Sequence, residues 1–162
     1  VSLARHAPSC LKWVQRGDGT MVDPGEAHVL VIEDNIYNYT LMARLLKFLG
    51  VEHVEWSRTG RQVAVLADSL PSVDLVLLDI HLPYEDGYST LQRLRASDHF
   101  GETRIVAVTA EATEDNMRRA REAGFDGFIA KPIDPDRFPD QVKAALRGQE
   151  VWDLGGALPV GA

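Results

Sequence analysis

The sequence predicts an α/β protein built on a (βα)5 unit, a doubly wound, parallel, five-stranded sheet with helices on both faces. Two observations predict this fold. Five short apolar runs, most of them rich in β-branched residues, are typical of buried parallel strands. Each run is followed by a segment whose apolar residues lie three and four positions apart, which is typical of a helix. Because a helix joins each strand to the next, the strands of one sheet can run parallel.

The strand predictions rest on apolar runs that stop at polar or turn-forming residues. The run before Glu33 is wholly apolar, and the run that ends at Asp79 is the strongest. The second run is the weakest, because Glu and His interrupt it. In chain order, the predicted strands cover residues 29–32, 51–57, 73–78, 105–108 and 127–130.

The helix predictions rest on the spacing and on the residues that end each helix. Gly50, Pro71 and Gly124 follow the first, second and fourth helical segments and favour a helix end. The predicted helices cover residues 36–49, 59–70, 87–96 and 113–123, with a fifth that contains Val142, Ala145 and Leu146. Pro139 lacks an N–H and disfavours a helix interior, so a 3₁₀-like turn at residues 134–135 should precede a regular helix that starts near Pro139.

The chain divides into a folded centre and two peripheral segments. Residues 1–27 lack clean periodicity and end in a turn-rich stretch, which indicates an N-terminal extension or a leader. Residues 28–147 contain all the predicted strands and helices and form the predicted domain. Residues 148–162 are predicted to be a loose C-terminal tail, too short for an output domain.

Composition excludes several classes of protein. The formal net charge is −7 and the pI about 5.2, so the acidic surface disfavours nucleic acid as a partner. No apolar run is long enough to cross a membrane. Cys10 is the single cysteine, so an intrachain disulfide is impossible and a reducing compartment is favoured. We expect a cytoplasmic protein.

Polar side chains follow four of the predicted strands. Glu33 and Asp34 follow the first, Asp79 ends the third, Thr109 follows the fourth and Lys131 follows the fifth. In such sheets the functional groups gather at the carboxyl ends of the strands, so these side chains should meet. Three neighbouring carboxylates need a counter-charge, and their hard oxygens favour Mg²⁺, with Mn²⁺ as the alternative. A hydroxyl and an ammonium beside them complete a phosphate-binding arrangement.

Each of these residues alone has a simpler interpretation. An aspartate at a strand end is usually a cap or turn residue, and Glu33-Asp34 could cap the following helix. A lysine before a proline is usually on the surface. Taken together, however, five polar groups at the ends of the chosen elements favour a functional site.

Several stretches resemble the response-regulator receiver domain of two-component signalling, of the CheY-like, single-domain type. They are VLVIEDN (29–35), LVLLDIHLP (75–83), DG (86–87), IVAVTA (105–110) and GFIAKP (127–132). The resemblance covers roughly residues 27–147. It implies a flavodoxin-like fold with strand order 2-1-3-4-5.

The resemblance also implies roles for the acidic residues. Asp79 would be the phosphoacceptor, and Glu33 and Asp34 would be the acidic pair that holds Mg²⁺. Asp34 and Asp79 would bind the ion directly, and Glu33 through a bound water. His81 would contribute its backbone carbonyl, so its imidazole is not the expected ligand atom.

The resemblance assigns Thr109 as the switch hydroxyl, Lys131 as the phosphate-pairing lysine and Phe128 as the switch aromatic. The Lys131-Pro132 bond is expected to be cis, and Phe128 retains the alternative of a plain core residue. Side chains two positions after the phosphoacceptor and the switch threonine influence hydrolysis in this family. Here they are His81 and Glu111, both polar, which favours a phosphorylated state that lasts minutes.

The implied partners are a histidine kinase or a histidine phosphotransfer protein and a downstream protein target. Ile36, Tyr39, Pro132 and Ile133 are candidate docking residues, although Ile36 and Tyr39 could equally be core. A homodimer through the surface of the last two helices stays open.

Three rival interpretations remain. A phosphohydrolase of the haloacid-dehalogenase kind also uses a strand-end aspartate, but a second aspartate would stand where this chain has His81. A receiver-like module that is never phosphorylated usually lacks the acceptor, the acidic pair or the lysine, all of which are present here. The chain could also be a receiver domain excised from a hybrid histidine kinase.

Overall fold

The computed structural model describes residues 12–156. Its strands are β1 (Val14–Gln15), β2 (Met21–Val22), β3 (His28–Ile32), β4 (His53–Ser57), β5 (Leu75–Asp79), β6 (His81–Leu82), β7 (Glu85–Asp86), β8 (Arg104–Thr109), β9 (Gly127–Ala130) and β10 (Val151–Asp153). Its α-helices are α1 (Ile36–Phe48), α2 (Gly60–Leu66), α3 (Gly87–Ala96), α4 (Glu114–Ala123) and α5 (Phe138–Leu146). All five predicted strands and helices are confirmed. The last helix starts at Phe138, next to Pro139, as expected.

The central sheet is parallel and has the order β4-β3-β5-β8-β9-β10. Its first five strands in chain order therefore follow the predicted order 2-1-3-4-5. The sheet has six strands, one more than the five predicted. β10 pairs with the outer edge of β9 and adds a sixth strand, which was not predicted because three residues are too few to show a period.

The sheet separates two apolar layers, as a doubly wound fold requires. On one side, α1 and α5 pack on the sheet through Met42, Leu46 and Val142. On the other side, α2, α3 and α4 pack through Val63, Leu91 and Ala120. Alternate residues of each central strand point into one layer and then the other, so both faces of these strands are buried.

Both peripheral segments contain structure that the sequence did not indicate. Residues 151–153 form β10 and are not part of a loose tail. β1 and β2 form an antiparallel hairpin whose buried Val14 and Val22 join the layer of α1 and α5. Residues 1–11 and 157–162 lie outside the described part of the chain, and so does Cys10. Within residues 12–156, no helix is long and apolar enough to cross a membrane.

Candidate functional site

The three predicted carboxylates meet at the carboxyl edge of the sheet. β3 and β5 are neighbours with Ile32 opposite Leu78, so the residues that follow or end these strands lie side by side. One carboxylate oxygen from each of Glu33, Asp34 and Asp79 lies within 4.8 Å of the others. Glu33 is 1% exposed and Asp79 is 4% exposed. Charged groups are costly to bury without a partner, so this cluster needs a cation.

Lys131 supplies a cation from the far end of β9. Its Nζ lies 2.6 Å from Glu33 Oε2 and donates a hydrogen bond of 2.9 Å to Asp79 Oδ2. Burial alone would lower the pKa of Lys131, but the contacts with Glu33 and Asp79 together raise it above its ordinary value. The lysine is therefore held in its charged form at the centre of the site.

The pKa of Glu33 is also shifted by these surroundings, but mainly through burial. Burial raises the pKa of Glu33 above its ordinary value, against the opposing effect of its hydrogen bond and ion pair with Lys131. The neighbouring Asp79 carboxylate raises the pKa of Glu33 further. The arrangement thus holds more negative charge than one ammonium balances, which suits an additional cation.

The carboxylate cluster fits a divalent ion such as Mg²⁺. Its donors are hard oxygens from more than one carboxylate, and Asp34 is only partly buried, so one side is open to water and to a phosphate. The alternative role of Glu33 and Asp34, capping helix α1, is performed by another residue. The side chain of Asn35 caps α1 by accepting hydrogen bonds from the N–H groups of residues 37 and 38, so the alternative of a helix cap does not apply to the acidic pair.

Trp56 holds the loop that carries the acidic pair, a role that the sequence did not indicate. Its indole Nε1 donates a hydrogen bond of 2.8 Å to the backbone oxygen of Glu33. Its ring stacks on Tyr39, with centroids 4.5 Å apart and planes 7° apart. Since Trp56 lies on β4, beside β3, this contact depends on strand order, which spacing along the chain does not reveal.

Thr109 ends β8, two strands away from β3, and is 1% exposed. Its Oγ1 accepts a hydrogen bond of 3.1 Å from the N–H of Glu111. Its backbone oxygen accepts one of 2.7 Å from the N–H of Lys131. The threonine and the lysine are therefore tied together through the backbone at the same edge of the sheet. The Lys131-Pro132 bond is cis, as expected.

Phe128 is fully buried on β9, within the layer of α2, α3 and α4. It does not contribute a polar group to the site. Trp152 on β10 lies opposite it in the register of the two strands and packs against the same layer. Phe128 and the unpredicted sixth strand are therefore direct neighbours.

His81 lies at the rim of the site. Its N–H donates a hydrogen bond of 2.9 Å to Asp79 Oδ1, while its half-exposed ring is directed to Glu111, with Nε2 3.3 Å from Oε2. The ring thus contacts a rim carboxylate. The expected contribution of the His81 backbone carbonyl to a metal site stays a prediction.

Comparisons with known proteins point to one family. A family model described as "Response regulator receiver domain" matches residues 29–143. The chain is 34% identical over 119 residues to the polar-differentiation response regulator DivK of Brucella anthropi, covering 73% of this chain and 94% of DivK. It is 32% identical over 133 residues to the phosphate regulon transcriptional regulatory protein PhoB of Pseudomonas aeruginosa, covering 82% of this chain and 57% of PhoB.

A third relative is a kinase. The chain is 34% identical over 110 residues to the signal transduction histidine-protein kinase BarA of Escherichia coli, covering 68% of this chain and 12% of BarA. The chain therefore spans little more than half the length of PhoB and a small part of BarA.

Solved structures agree on the fold. The receiver domain of the sensor histidine kinase PA1611 from Pseudomonas aeruginosa, solved with a magnesium ion coordinated in its active site cleft, is 28% identical. Its TM-score is 0.65, and the match covers 76% of this chain and 98% of that one. The chemotaxis response regulator CheY4 of Vibrio cholerae has a TM-score of 0.65 at 21% identity, over 74% of this chain and 98% of that one.

Receiver domains are phosphoacceptor switches that bind Mg²⁺ in an acidic pocket and interact with histidine kinases and downstream targets. The doubly wound sheet, the carboxylate cluster at its carboxyl edge and the match over residues 29–143 agree with that description. We conclude that this chain belongs to the family of response regulator receiver domains.

Proposed function

We propose that Asp79 accepts a phosphoryl group from a phosphohistidine of a histidine kinase or a histidine phosphotransfer protein, and that this switches a protein-interaction surface. One observation carries the proposal. The buried carboxylate of Asp79 lies within 4.8 Å of two other carboxylates and 2.9 Å from the ammonium of Lys131. A nucleophile, a place for a metal ion and a fixed positive charge thus share one open edge of the sheet.

In the proposed transfer, a carboxylate oxygen of Asp79 attacks phosphorus, and the bond from phosphorus to the donor imidazole nitrogen breaks. The nitrogen keeps the electron pair and takes up a proton, and an acyl phosphate remains on Asp79. In this proposal Lys131, which donates a hydrogen bond to Asp79, pairs with one phosphoryl oxygen, and Thr109 donates its hydroxyl hydrogen to another. Mg²⁺ held by Asp34 and Asp79, with Glu33 acting through a water and the His81 carbonyl as a further ligand, would offset charge on the transferring oxygens.

The proposed switch follows from the contacts of Thr109. Its hydroxyl oxygen accepts a hydrogen bond from the N–H of Glu111, which leaves the hydroxyl hydrogen to be donated to a strong acceptor oxygen of a phosphoryl group on Asp79. Movement of Thr109 toward Asp79 would vacate space into which Phe128 can shift. The readout is the surface formed by α4, β9 and α5, which we propose meets a downstream protein target.

The rim of the site is suited to a docking partner. Ile36 is 46% exposed and Pro132 is exposed, so both can contact a donor protein. Ile133 is 6% exposed and packs in the core, which removes it from the predicted docking set. Tyr39 is partly buried by Trp56. His81 and Glu111 stay the residues expected to limit the phosphorylated state to minutes. We further propose a cytoplasmic protein that does not bind nucleic acid.

The site assignment is tested by labelling with acetyl phosphate and Mg²⁺. Wild type should form an acid-stable, hydroxylamine-sensitive acyl phosphate, and Asp79→Asn should form none, because the amide is not a competent nucleophile. Asp115→Asn makes the same change at an exposed residue of α4 and should label like wild type. Labelling of Asp79→Asn at the wild-type level would remove Asp79 as the phosphoacceptor.

A phosphohydrolase is the rival reaction class. The same protein should release no product from p-nitrophenyl phosphate under conditions in which acetyl phosphate labels Asp79, because phosphate esters are not donors in the proposed transfer. Sustained turnover that Asp79→Asn abolishes would favour the hydrolase.

A second question is whether the receiver domain is a protein of its own or part of a larger one. The match over 94% of DivK supports a stand-alone receiver, and the match to a part of BarA supports a receiver within a hybrid kinase. We propose the stand-alone protein. An immunoblot of native cells that detects a band of the size of a single receiver domain would support it, and a much larger band would favour the hybrid kinase.

A further inference from the structure

The C-terminal strand β10 occupies a surface next to the switch residue. Val151 lies opposite Gly127 and Asp153 lies opposite Ile129 along the outer edge of β9. A Cβ atom on Gly127 would lie 2.8 Å from the backbone oxygen of Val151, a distance too short for a carbon next to an oxygen. The outer edge of β9 is therefore shaped to admit a strand at this point.

The centre of β10 packs on the switch aromatic. Trp152 lies opposite Phe128, and both belong to the layer of α2, α3 and α4. The guanidinium carbon of Arg121, on α4, lies 4.3 Å from the centroid of the Trp152 ring, a cation–π distance. The indole Nε1 of Trp152 is buried without a hydrogen-bond partner. An unpaired buried donor costs free energy, so this N–H group weakens the attachment of β10 to the rest of the domain.

The end of β10 is held by α5. Asp153 Oδ2 accepts hydrogen bonds of 2.5 Å from Arg137 Nη2 and 2.7 Å from Gln141 Nε2. Arg137 also donates one of 2.9 Å to the backbone oxygen of Gly156. The strand is thus attached to β9 along its length, to α4 through Trp152 and to α5 through Asp153.

The segment after β10 reaches the loop that carries Lys131. A cavity of about 360 Å³ lies between residues 130–134 and residues 154–156, with Lys131, Pro132 and Leu154 among its lining residues. Phe128 thus lies beside β10, and Lys131 lines the same cavity as the residues that follow β10.

We propose that the outer edge of β9, together with Arg121 of α4 and Arg137 just before α5, is an interaction surface for an extended strand that carries an aromatic residue followed by a carboxylate. We call it the strand-binding edge. Its occupant in the unphosphorylated protein is the chain's own β10, and phosphorylation of Asp79 loosens β10 from it. This inference rests on the proposed function.

Packing explains why phosphorylation should loosen β10 and not tighten it. If Phe128 shifts toward Thr109, Trp152 loses the apolar surface opposite it, while its indole N–H stays without a partner. β10 has only three residues and lies at the edge of the sheet, so few contacts remain to hold it. A downstream strand of the same chemistry could then compete for the strand-binding edge.

Hydrogen exchange of the full chain tests the proposal. Phosphorylation by acetyl phosphate and Mg²⁺ should speed amide exchange of residues 151–153 by about tenfold, a common size for coupling between two sites. Exchange in β3 should stay unchanged, and Asp79→Asn treated in the same way should show no acceleration. The phosphorylated fraction is measured by intact mass in the same samples.

Coupling must be reciprocal, which gives a second test. Trp152→Ala should tighten the binding of beryllofluoride, a phosphoryl mimic, by up to the factor by which phosphorylation speeds exchange of residues 151–153, because that factor is reached when β10 is fully released. Trp13→Ala is the matched control. Trp13 packs against Lys143 of α5 and against Arg147, which follows α5, so its loss should leave that binding unchanged. Asp153→Asn is a milder variant that should act in the same direction if Trp152→Ala fails to fold.

The outcomes separate the two proposals. A protein that does not label at Asp79 contradicts the proposed function. A protein that labels at Asp79 with unchanged or slower exchange at residues 151–153 overturns the strand-binding edge alone. Equal beryllofluoride affinity in wild type and in both β10 variants would also overturn it.

Discussion

At the scale of single residues, Lys131 joins two buried carboxylates that would otherwise repel each other. Its side chain is 11% exposed, and the ion pairs to Glu33 and Asp79 lie inside the site. Removing one member of a buried ion pair leaves an uncompensated charge, which costs far more than losing a surface pair.

Lys131→Met should therefore lower the free energy of unfolding by about 3 kcal/mol, near the lower end of the range for a broken buried pair, because Glu33 can take up a proton. Mg²⁺ should restore part of this loss, since a divalent ion can balance the same carboxylates. Urea unfolding with and without MgCl₂ measures both effects. Lys47→Met, at an exposed lysine of α1, is the control and should change little in either condition.

A loss in Lys131→Met no larger than in the control would show that the ion pair does not stabilise the protein. The position of Lys131 beside the acidic residues was predicted from the sequence, because strand ends in a parallel sheet share one edge. The direct ion pairs with Glu33 and Asp79 were not predicted, because side chains at the carboxyl edge could each have turned to solvent.

Trp56 offers a prediction for the metal site. Trp56→Phe keeps the ring that stacks on Tyr39 but removes the donor to the Glu33 backbone oxygen. The loss of one hydrogen bond, about 1 kcal/mol, should weaken Mg²⁺ binding about fivefold if that bond fixes the loop for the ion. Calorimetric titration with Mg²⁺ measures it. Trp13→Phe, which contacts α5 instead, should bind Mg²⁺ like wild type, and a Trp56→Phe affinity equal to it would contradict the role of the bond.

At the scale of elements, β3 and β4 share a pair of stacked histidines at the amino end of the sheet. The rings of His28 and His53 lie 4.4 Å apart with planes 14° apart. Burial lowers the pKa of His28 below its ordinary value of 6.5, and so does His53, while Asp74 acts in the opposite direction. Arg16 lowers the pKa of His28 further, and Glu55 raises it.

This shift has a defined consequence for stability. The unfolded chain binds a proton on His28 at a higher pH than the folded chain does, so the contribution is present above the ordinary pKa and is lost as the pH falls below it. Between about pH 7.5 and about pH 5.5, on either side of the ordinary histidine pKa, wild type should lose more stability than His28→Gln. Urea midpoints measured along this range give the comparison, and parallel curves for the two proteins would contradict it.

The elements also show what the sequence could and could not predict. α5 begins at Phe138, close to the position that Pro139 indicated. β10 escaped prediction because Val151–Asp153 is shorter than any period and because its support comes from Arg137 and Gln141, which are distant in sequence. The hairpin of β1 and β2 escaped for the same reason, since each strand has two residues.

At the scale of the whole molecule, the sheet is most heavily covered at its centre. β3, β5 and β8 have a strand on each side and buried faces, whereas β10 has one neighbouring strand and the hairpin of β1 and β2 lies outside the central sheet. The strand order followed from the family resemblance, because spacing along the chain establishes which elements are strands but not how they are arranged in the sheet.

Amide exchange of the unphosphorylated full chain should follow this arrangement. The slowest amides should be those of β3, β5 and β8, which open only with global unfolding, and those of β10 and of the β1–β2 hairpin should exchange much faster through local opening. Hydrogen exchange resolved by NMR measures the gradient. Protection of β10 equal to that of β5 would mean that the sixth strand is as firmly built in as the central ones.

The parallel direction of β10 also decides where the polypeptide leaves the domain. A helix that follows a parallel strand returns the chain to the opposite rim of the sheet, and α5 does so at Arg147. The additional strand brings it back, so that Gly155 and Gly156 border the same cavity as Lys131. A reporter fused directly to Gly156 would therefore sit near the rim that we propose the phosphoryl donor approaches, and a bulky one should obstruct that approach.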